Sequence, residues 1–306
     1  MNLRLVFFIF SLLISHVSLA TGNIKVQKVA ANVYALVGST DNRSAENLGN
    51  NATFGVVVTK DGVVLIDSGG TFLGAKEIAQ TIKSISNKPV KIVINSGGQD
   101  HRWLGNSYFK SQGAKIIASE NAVKDHKARR QSQLIRLGDL VGDKVLEGTE
   151  PTYATETFKD KYLFEFGGVS FEIYHKGQAH TPGDSFIWLP KQKIMFTGDI
   201  VYIERMLGVG SMSNSKSWIN VFEQMAKFKP LHIIPGHGQV TTLARAKTDS
   251  YQYLKFLRQS VADFIDDGGE LADISKIDQS KYQYLLNFNS LSRRNAQQVF
   301  TEMEWE

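Results

Sequence analysis

From Ile24 the chain reads IKVQKVAANVYALVG and then FGVVVTKDGVVLIDSGG, short β-branched runs punctuated by Asn, Asp-Gly and Gly-Gly. Such residues suit a pleated, half-buried surface, so the pattern predicts strands joined by hairpins, with Lys60-Asp61-Gly62 as one tight turn. The period then changes. Between Phe72 and Ile85 the apolar residues Leu73, Ile78, Ile82 and Ile85 recur at helical spacing among Lys, Glu and Gln, which predicts a helix before the buried strand VKIVIN. A helix over Gly105 to Gln112, the strand AKIIAS and a longer polar helix over Asn121 to Leu137 continue the alternation.

The second half opens with KYLFEF and VSFEIYH joined by Gly167-Gly168, followed by SFIWLP, KIMFTGD, a helix over Trp218 to Phe228 and the strand LHIIPGHG. Two β-then-α halves of similar size predict an α/β (α+β) fold in which two sheets pack face to face with helices outside. After Val240 the pattern is helical, over Leu243 to Ile265 and again over Ser280 to Trp305. The expected division is therefore 1–20 as a leader, 21–240 as the main domain and 241–306 as a helical extension packed on it.

Composition narrows the chemistry. A chain of 306 residues with 42% hydrophobic and 21% charged residues is globular, and its 26 glycines against 6 prolines favour tight turns over extended linkers. The first twenty residues place Arg4 ahead of the apolar run Leu5 to Ile14 and end in Ser18-Leu19-Ala20, which reads as a secretory signal peptide cleaved after Ala20. A periplasmic or secreted protein without a stable membrane span is expected. There is no cysteine, so any metal must be held by His, Asp, Glu or amide oxygen, a donor set for zinc, iron or manganese. The formal charge of +5, scattered along the chain, points to a small-molecule substrate and away from nucleic acid. Oligomeric state is not legible.

Three loops that follow strands present His or Asp beside glycine: GQAHTPGD with His180, FTGD with Asp199, and IPGHG with His237. A lone histidine in a turn is usually a surface or capping residue. Three such loops, each at a strand end, make a shared metal site the better reading.

With LIDSGG at Leu65 to Gly70, these motifs make the chain resemble the metallo-β-lactamase superfamily over roughly Val26 to Val240. The resemblance implies an αββα sandwich of two mixed sheets with outer helices and a metal site at one edge. It implies that His180, Asp199 and His237 are ligands and that Asp67 is structural, bonding loop backbone near them. The tail Asn295-Ala296-Gln297-Gln298-Val299-Phe300 with Glu302 and Glu304 is similar to that of the quinoprotein relay system zinc metallohydrolases of this superfamily.

The family's principal motif, H-x-H-x-D-H, is degenerate. After Ile94-Asn95 the chain runs Ser96-Gly97-Gly98-Gln99-Asp100-His101-Arg102-Trp103-Leu104-Gly105-Asn106. Anchoring on Asp-His keeps Asp100 and His101 as ligands. The gapless alignment instead places Gly97 and Gln99 at the first two histidines, His101 at the aspartate and Arg102 at the last histidine. Both lose the first His-x-His pair, so one ion is expected rather than two: zinc, with iron as the alternative.

The resulting expectation is an exported hydrolase that uses a metal-bound hydroxide on an ester, thioester, lactone or lactam bond. Asp100 would orient the nucleophile and shuttle its proton, and Arg102 or Lys176 would steady an oxyanion or a substrate carboxylate. Two other classes fit the same residues: a non-catalytic periplasmic binding or accessory protein, and an iron-dependent oxidoreductase.

Overall fold

The computed structural model describes residues 24–304 and 306, so the expected leader lies outside the described residues. Seven strands form the first sheet: β1 (Lys25–Ala30), β2 (Val33–Val37), β3 (Thr53–Val58), β4 (Val63–Ile66), β5 (Val90–Asn95), β6 (Lys115–Ser119) and β7 (Glu156–Phe158). They lie in sequence order, antiparallel from β1 to β4 and parallel from β4 to β7. The Lys60-Asp61-Gly62 turn closes through the Thr59 amide, which donates to the Gly62 carbonyl at 2.9 Å.

The second sheet holds β8 (Lys161–Phe166), β9 (Val169–His175), β10 (Ser185–Leu189), β11 (Ile194–Phe196) and β12 (His232–Ile234), in the order β12-β11-β10-β9-β8. Only β11 and β12 run parallel. The inner faces meet in one apolar layer, where Val57, Ile66 and Ile94 of the first sheet share a cluster with Ile173, Ile187 and Phe196 of the second. Each such side chain, fully buried, contributes about 1.5–3 kcal/mol of transfer free energy.

On the outer face of the first sheet lie α1 (Phe72–Lys83), α2 (Asp100–Trp103), α3 (Asn106–Ser111), α4 (Glu120–Val141) and α5 (Asp143–Leu146). The Thr71 hydroxyl caps α1 by accepting from the Gly74 amide, and Ser119 caps α4 by accepting from Ala122. The second sheet is covered by α6 (Ser215–Ala226), α7 (Leu243–Ala246), α8 (Gln252–Asp266) and α9 (Phe288–Met303). Trp218 and Phe222 of α6 share a core with Leu254 and Leu257 of α8 and Val299 of α9. This is the expected sandwich of two mixed sheets with outer helices.

Two helical expectations need correction, and one helical turn was not expected. α2 is a separate single turn that the pattern does not show. The helix expected over 243–265 is interrupted by a wider turn at Lys247–Tyr251. There the buried Ser250 hydroxyl donates to the Tyr202 carbonyl and accepts from the Tyr202 amide, and Asp249 accepts from the Glu204 amide, which fixes the register of the turn. The helix expected from Ser280 begins only at Phe288, because Asn287 adopts a left-handed backbone with φ of 65°.

Two parallel pairings place the chemistry. Ile66 lies beside Ile94 in β4 and β5, and Phe196 beside Ile234 in β11 and β12, so the loops carrying Asp67, Ser96–Asp100, Asp199 and His237 leave one edge together. That edge is stitched across the sandwich by the Ser185 amide on the Ser96 carbonyl at 2.7 Å and by the Thr53 amide on the Gly236 carbonyl at 2.8 Å.

Candidate metal centre

Asp199 leaves β11 on a tight turn begun by Gly198, whose φ is 48°. A side chain at Gly198 would also collide with Ser96. The turn aims the carboxylate into the edge, fully buried, where both oxygens are used. Oδ1 accepts from Arg102 Nη2 at 2.7 Å and lies 3.2 Å from His237 Nε2; Oδ2 accepts from Arg102 Nε at 3.1 Å and lies 3.3 Å from His101 Nε2. Burial pushes the pKa of Asp199 up, but the Arg102 charge and the contacts to His101 and His237 outweigh it and hold the carboxyl well below its usual range.

One atom from each of His101, Asp199 and His237 lies within 4.8 Å of the other two, and all three residues are buried. Ligands about 2.1 Å from a tetrahedral ion stand roughly 3.4 Å apart, and each Asp199 oxygen lies near that spacing from one imidazole, Oδ1 at 3.2 Å from His237 and Oδ2 at 3.3 Å from His101. Two imidazoles and one carboxylate also suit a divalent ion of intermediate hardness. The donor set fits a metal.

His180 lines the same cavity, of about 490 Å³. Its Nδ1 donates to the Gly208 carbonyl at 2.9 Å, which leaves the Nε2 lone pair free to accept. Burial lowers its pKa to about 4, so the ring is neutral at pH 7. Burial also holds His237 well below the usual histidine range, and its ring stacks on Tyr202 with centroids 4.4 Å apart. Tyr202 is raised well above the ordinary tyrosine range by burial and the Asp199 charge, and stays a phenol.

Asp100 and His101 occupy one turn of helix and both meet Arg43, but only His101 also reaches Asp199. Asp100 Oδ1 accepts from Arg43 and from the His101 amide, and Asp100 is not one of the three clustered residues. Burial favours its protonation, yet the Arg43 guanidinium prevails and keeps it ionised. Its Oδ1 lies 3.3 Å from His101 Nδ1, placed to accept a hydrogen bond from Nδ1–H were Nε2 to bind an ion. Asp100 therefore stands behind the His101 ring, on the side away from Asp199. Arg43 Nη2 now lies 2.7 Å from the same Nδ1 and would have to turn wholly to Asp100.

Arg102 does not face the cavity, contrary to the expectation that it would meet substrate. Its side chain is completely buried, and its five N–H groups reach Asp199 twice, Asp67, the Thr53 carbonyl and the Gly236 carbonyl at 2.7–3.2 Å. It is a structural cation of the site's edge. Lys176 is exposed, with Nζ 5.3 Å above the Tyr174 ring, and does not line the cavity. Asp67 accepts from the Ser96 amide at 2.7 Å and the Ser96 hydroxyl at 2.8 Å.

Carboxylates crowd the two glycines of the loop that precedes Asp100. A Cβ at Gly97 would run into Asp184, and one at Gly98 into Asp125. Asp125 pairs with Arg129, and Asp184 accepts from the Thr181 amide at 2.7 Å. Burial, helped by the Asp199 charge, pushes Asp184 up to about 8, so it is largely protonated at neutral pH. Arg43, Tyr202, Arg205 and Asn295 complete the surroundings; the first three carry no sequence signal beyond their residue type, and Asn295 opens the tail motif noted in the sequence. Asn295 of α9 donates to the Leu207 carbonyl and accepts from the Val209 amide, both at 2.8 Å, so it clamps the residues on either side of the Gly208 carbonyl that orients His180.

A profile described as "Metallo-beta-lactamase superfamily" matches residues 49–237. The "Metallo-beta-lactamase type 2" of Elizabethkingia meningoseptica is 26% identical over 222 residues, covering 71% of this chain and 80% of that protein. Among solved structures, a metallo-beta-lactamase from Pontibacter korlensis superposes with a TM-score of 0.61 at 22% identity, over 76% of this chain and 99% of the other. A double mutant of a sec-alkyl sulfatase superposes with a TM-score of 0.71 at 17% identity, over 92% of this chain and 50% of the other.

Proposed function

Because the chain belongs to the metallo-beta-lactamase superfamily, whose membership supports a metal-dependent hydrolase, we propose a hydrolase that works with one zinc ion held by His101, Asp199 and His237. The observation that carries this reading is the set of three buried donor atoms at ligand spacing. Zinc would supply Lewis-acid activation of water and polarisation of a scissile carbonyl.

The chain's own groups divide the remaining work. Asp199 brings one negative charge to the ion while Arg102 neutralises the surplus from Asp67, so the buried cluster of two carboxylates and one guanidinium carries a net −1. Asp100 fixes the His101 ring, a positioning role instead of the ligand and proton-shuttle roles expected from sequence. His180 offers a neutral Nε2 to the cavity, as a fourth donor or as acceptor of a proton from the attacking water. The bond cleaved is of the ester, thioester, lactone or lactam type, and residues 1–20 direct the protein out of the cytoplasm.

The test is turnover across panels of those four bond types with zinc-loaded protein, beside His237→Ala. Hydrolysis that disappears in the variant supports the reading, and no turnover in any panel sinks it in favour of a binding protein. The two-histidine, one-carboxylate set also favours ferrous iron as the alternative ion. Redox-active iron co-purifying with the chain would move the assignment to an oxidoreductase.

A further inference from the structure

Two buried arginines at this edge are treated in opposite ways. Arg102 has five satisfied donors and two carboxylate partners. Arg205 is 7% exposed, yet no carboxylate lies within ion-pair reach of it among the described residues. Its Nη1 makes two long contacts, 3.4 Å to the Asp41 carbonyl and 3.5 Å to His237 Nδ1, and its buried Nε has no partner. A buried guanidinium left unpaired is costly, and an unpartnered buried donor calls for an explanation, among them an ion or a functional role.

The same cavity wall carries Arg43, Arg129, Arg136 and Arg294. Arg43 is neutralised by Asp100 and Arg129 by Asp125, which leaves Arg205 at the floor and Arg136 and Arg294 at the exposed rim without acidic partners among the described residues. Arg294 belongs to α9, beyond the part of the chain matched by the superfamily profile. The extension is tied to the Arg205 segment by the Met206 amide on the Leu286 carbonyl at 2.8 Å and the Leu286 amide on the Glu204 carbonyl at 2.9 Å.

We infer that the cavity takes a dianionic organic substrate, one oxyanion group paired with Arg205 beside the metal centre and a second, separated from it, held at the rim by Arg294 and Arg136. The term substrate rests on the hydrolase reading; the binding site does not. A single oxyanion would satisfy the floor and leave two rim cations facing solvent, so the excess of positive charge favours two groups joined by a spacer that lies along Val209 and Leu291.

The experiment is calorimetric titration of the mature chain, zinc-loaded and chelator-treated, with succinate, glutarate, acetate and inorganic sulfate at constant ionic strength. The dicarboxylates are expected to bind about tenfold more tightly than acetate or sulfate. Arg205→Gln should lower dicarboxylate affinity about tenfold, and Arg294→Gln about threefold with acetate binding unchanged, because exposed cations are screened. Arg205→Gln removes an unpaired buried cation and should unfold no earlier than wild type; Arg205→Lys, which keeps the charge, should retain part of the affinity. Equal binding of acetate and dicarboxylates, sulfate binding as tight as theirs, or full succinate affinity in Arg205→Gln would overturn the inference. Dicarboxylate binding without any hydrolysis retires the hydrolase reading alone, and turnover of neutral esters without dicarboxylate preference retires this one alone.

Discussion

Replacing Arg102 with methionine removes a cation while keeping an unbranched chain of similar reach. In the wild type its five N–H groups serve Asp199, Asp67 and two carbonyls, with both carboxylates buried. Breaking a buried ion pair by deleting one partner costs about 3–5 kcal/mol, and each kcal/mol moves the midpoint of a chain this size by roughly 2–4 °C. Arg102→Met is therefore expected to melt about 10 °C below wild type near pH 7.5. The sign of the pH dependence follows from Asp199, whose pKa is held below its unfolded value. It contributes stability that is present above the unfolded pKa and lost as pH falls through the folded one. Without Arg102 the buried carboxylates titrate upward and become a penalty, present at neutral pH and relieved toward the unfolded pKa of roughly 4. Thermal unfolding of both proteins from pH 5 to pH 8 should show a gap that narrows as the solution is acidified. A midpoint within about 2 °C of wild type at pH 7.5, or a gap independent of pH, would refute the structural role assigned to Arg102.

Two further outcomes are expected. Asp184 has its folded pKa raised to about 8, so its ionisation lowers stability as pH climbs from its unfolded value through that range; in chelator-treated protein Asp184→Asn should gain on wild type by about 4 kcal/mol between pH 4.5 and pH 8 in urea titrations. Equal gains at both pH values would rule out the buried-acid account. Asn295→Ala loses three hydrogen bonds, to Leu207, Val209 and Tyr253, and should cost about 2–4 kcal/mol while lowering kcat/KM in zinc-loaded protein through the displaced His180 ring. A loss of stability with kcat/KM intact would confine the clamp to the fold.

Much of this arrangement is legible from residues alone. The alternation of β-branched runs and turn residues marks the strands, and the glycines beside His180, Asp199 and His237 mark the loops that converge on one edge. What the sequence withholds is direction. Asp100 and His101 are neighbours on a single helical turn, where successive side chains diverge by about 100°, so spacing cannot tell which of them reaches Asp199. Arg102 reads as a charge in a polar loop, and only tertiary structure reveals two carboxylates on either side of it. The broken helices of the extension have the same origin: Ser250 and Asp249 are held by the 202–204 loop, which lies far away in the sequence.

The central claim is that one ion is held by His101, Asp199 and His237. Elemental analysis of the mature protein, beside His101→Ala, His237→Ala and Asp100→Asn, tests it most directly. The account predicts about one divalent metal per chain in the wild type, loss of it in both histidine variants, and retention with weaker affinity in Asp100→Asn, which disturbs only the group behind the ring. Wild-type protein without stoichiometric metal, or metal kept in full by His101→Ala, would contradict it.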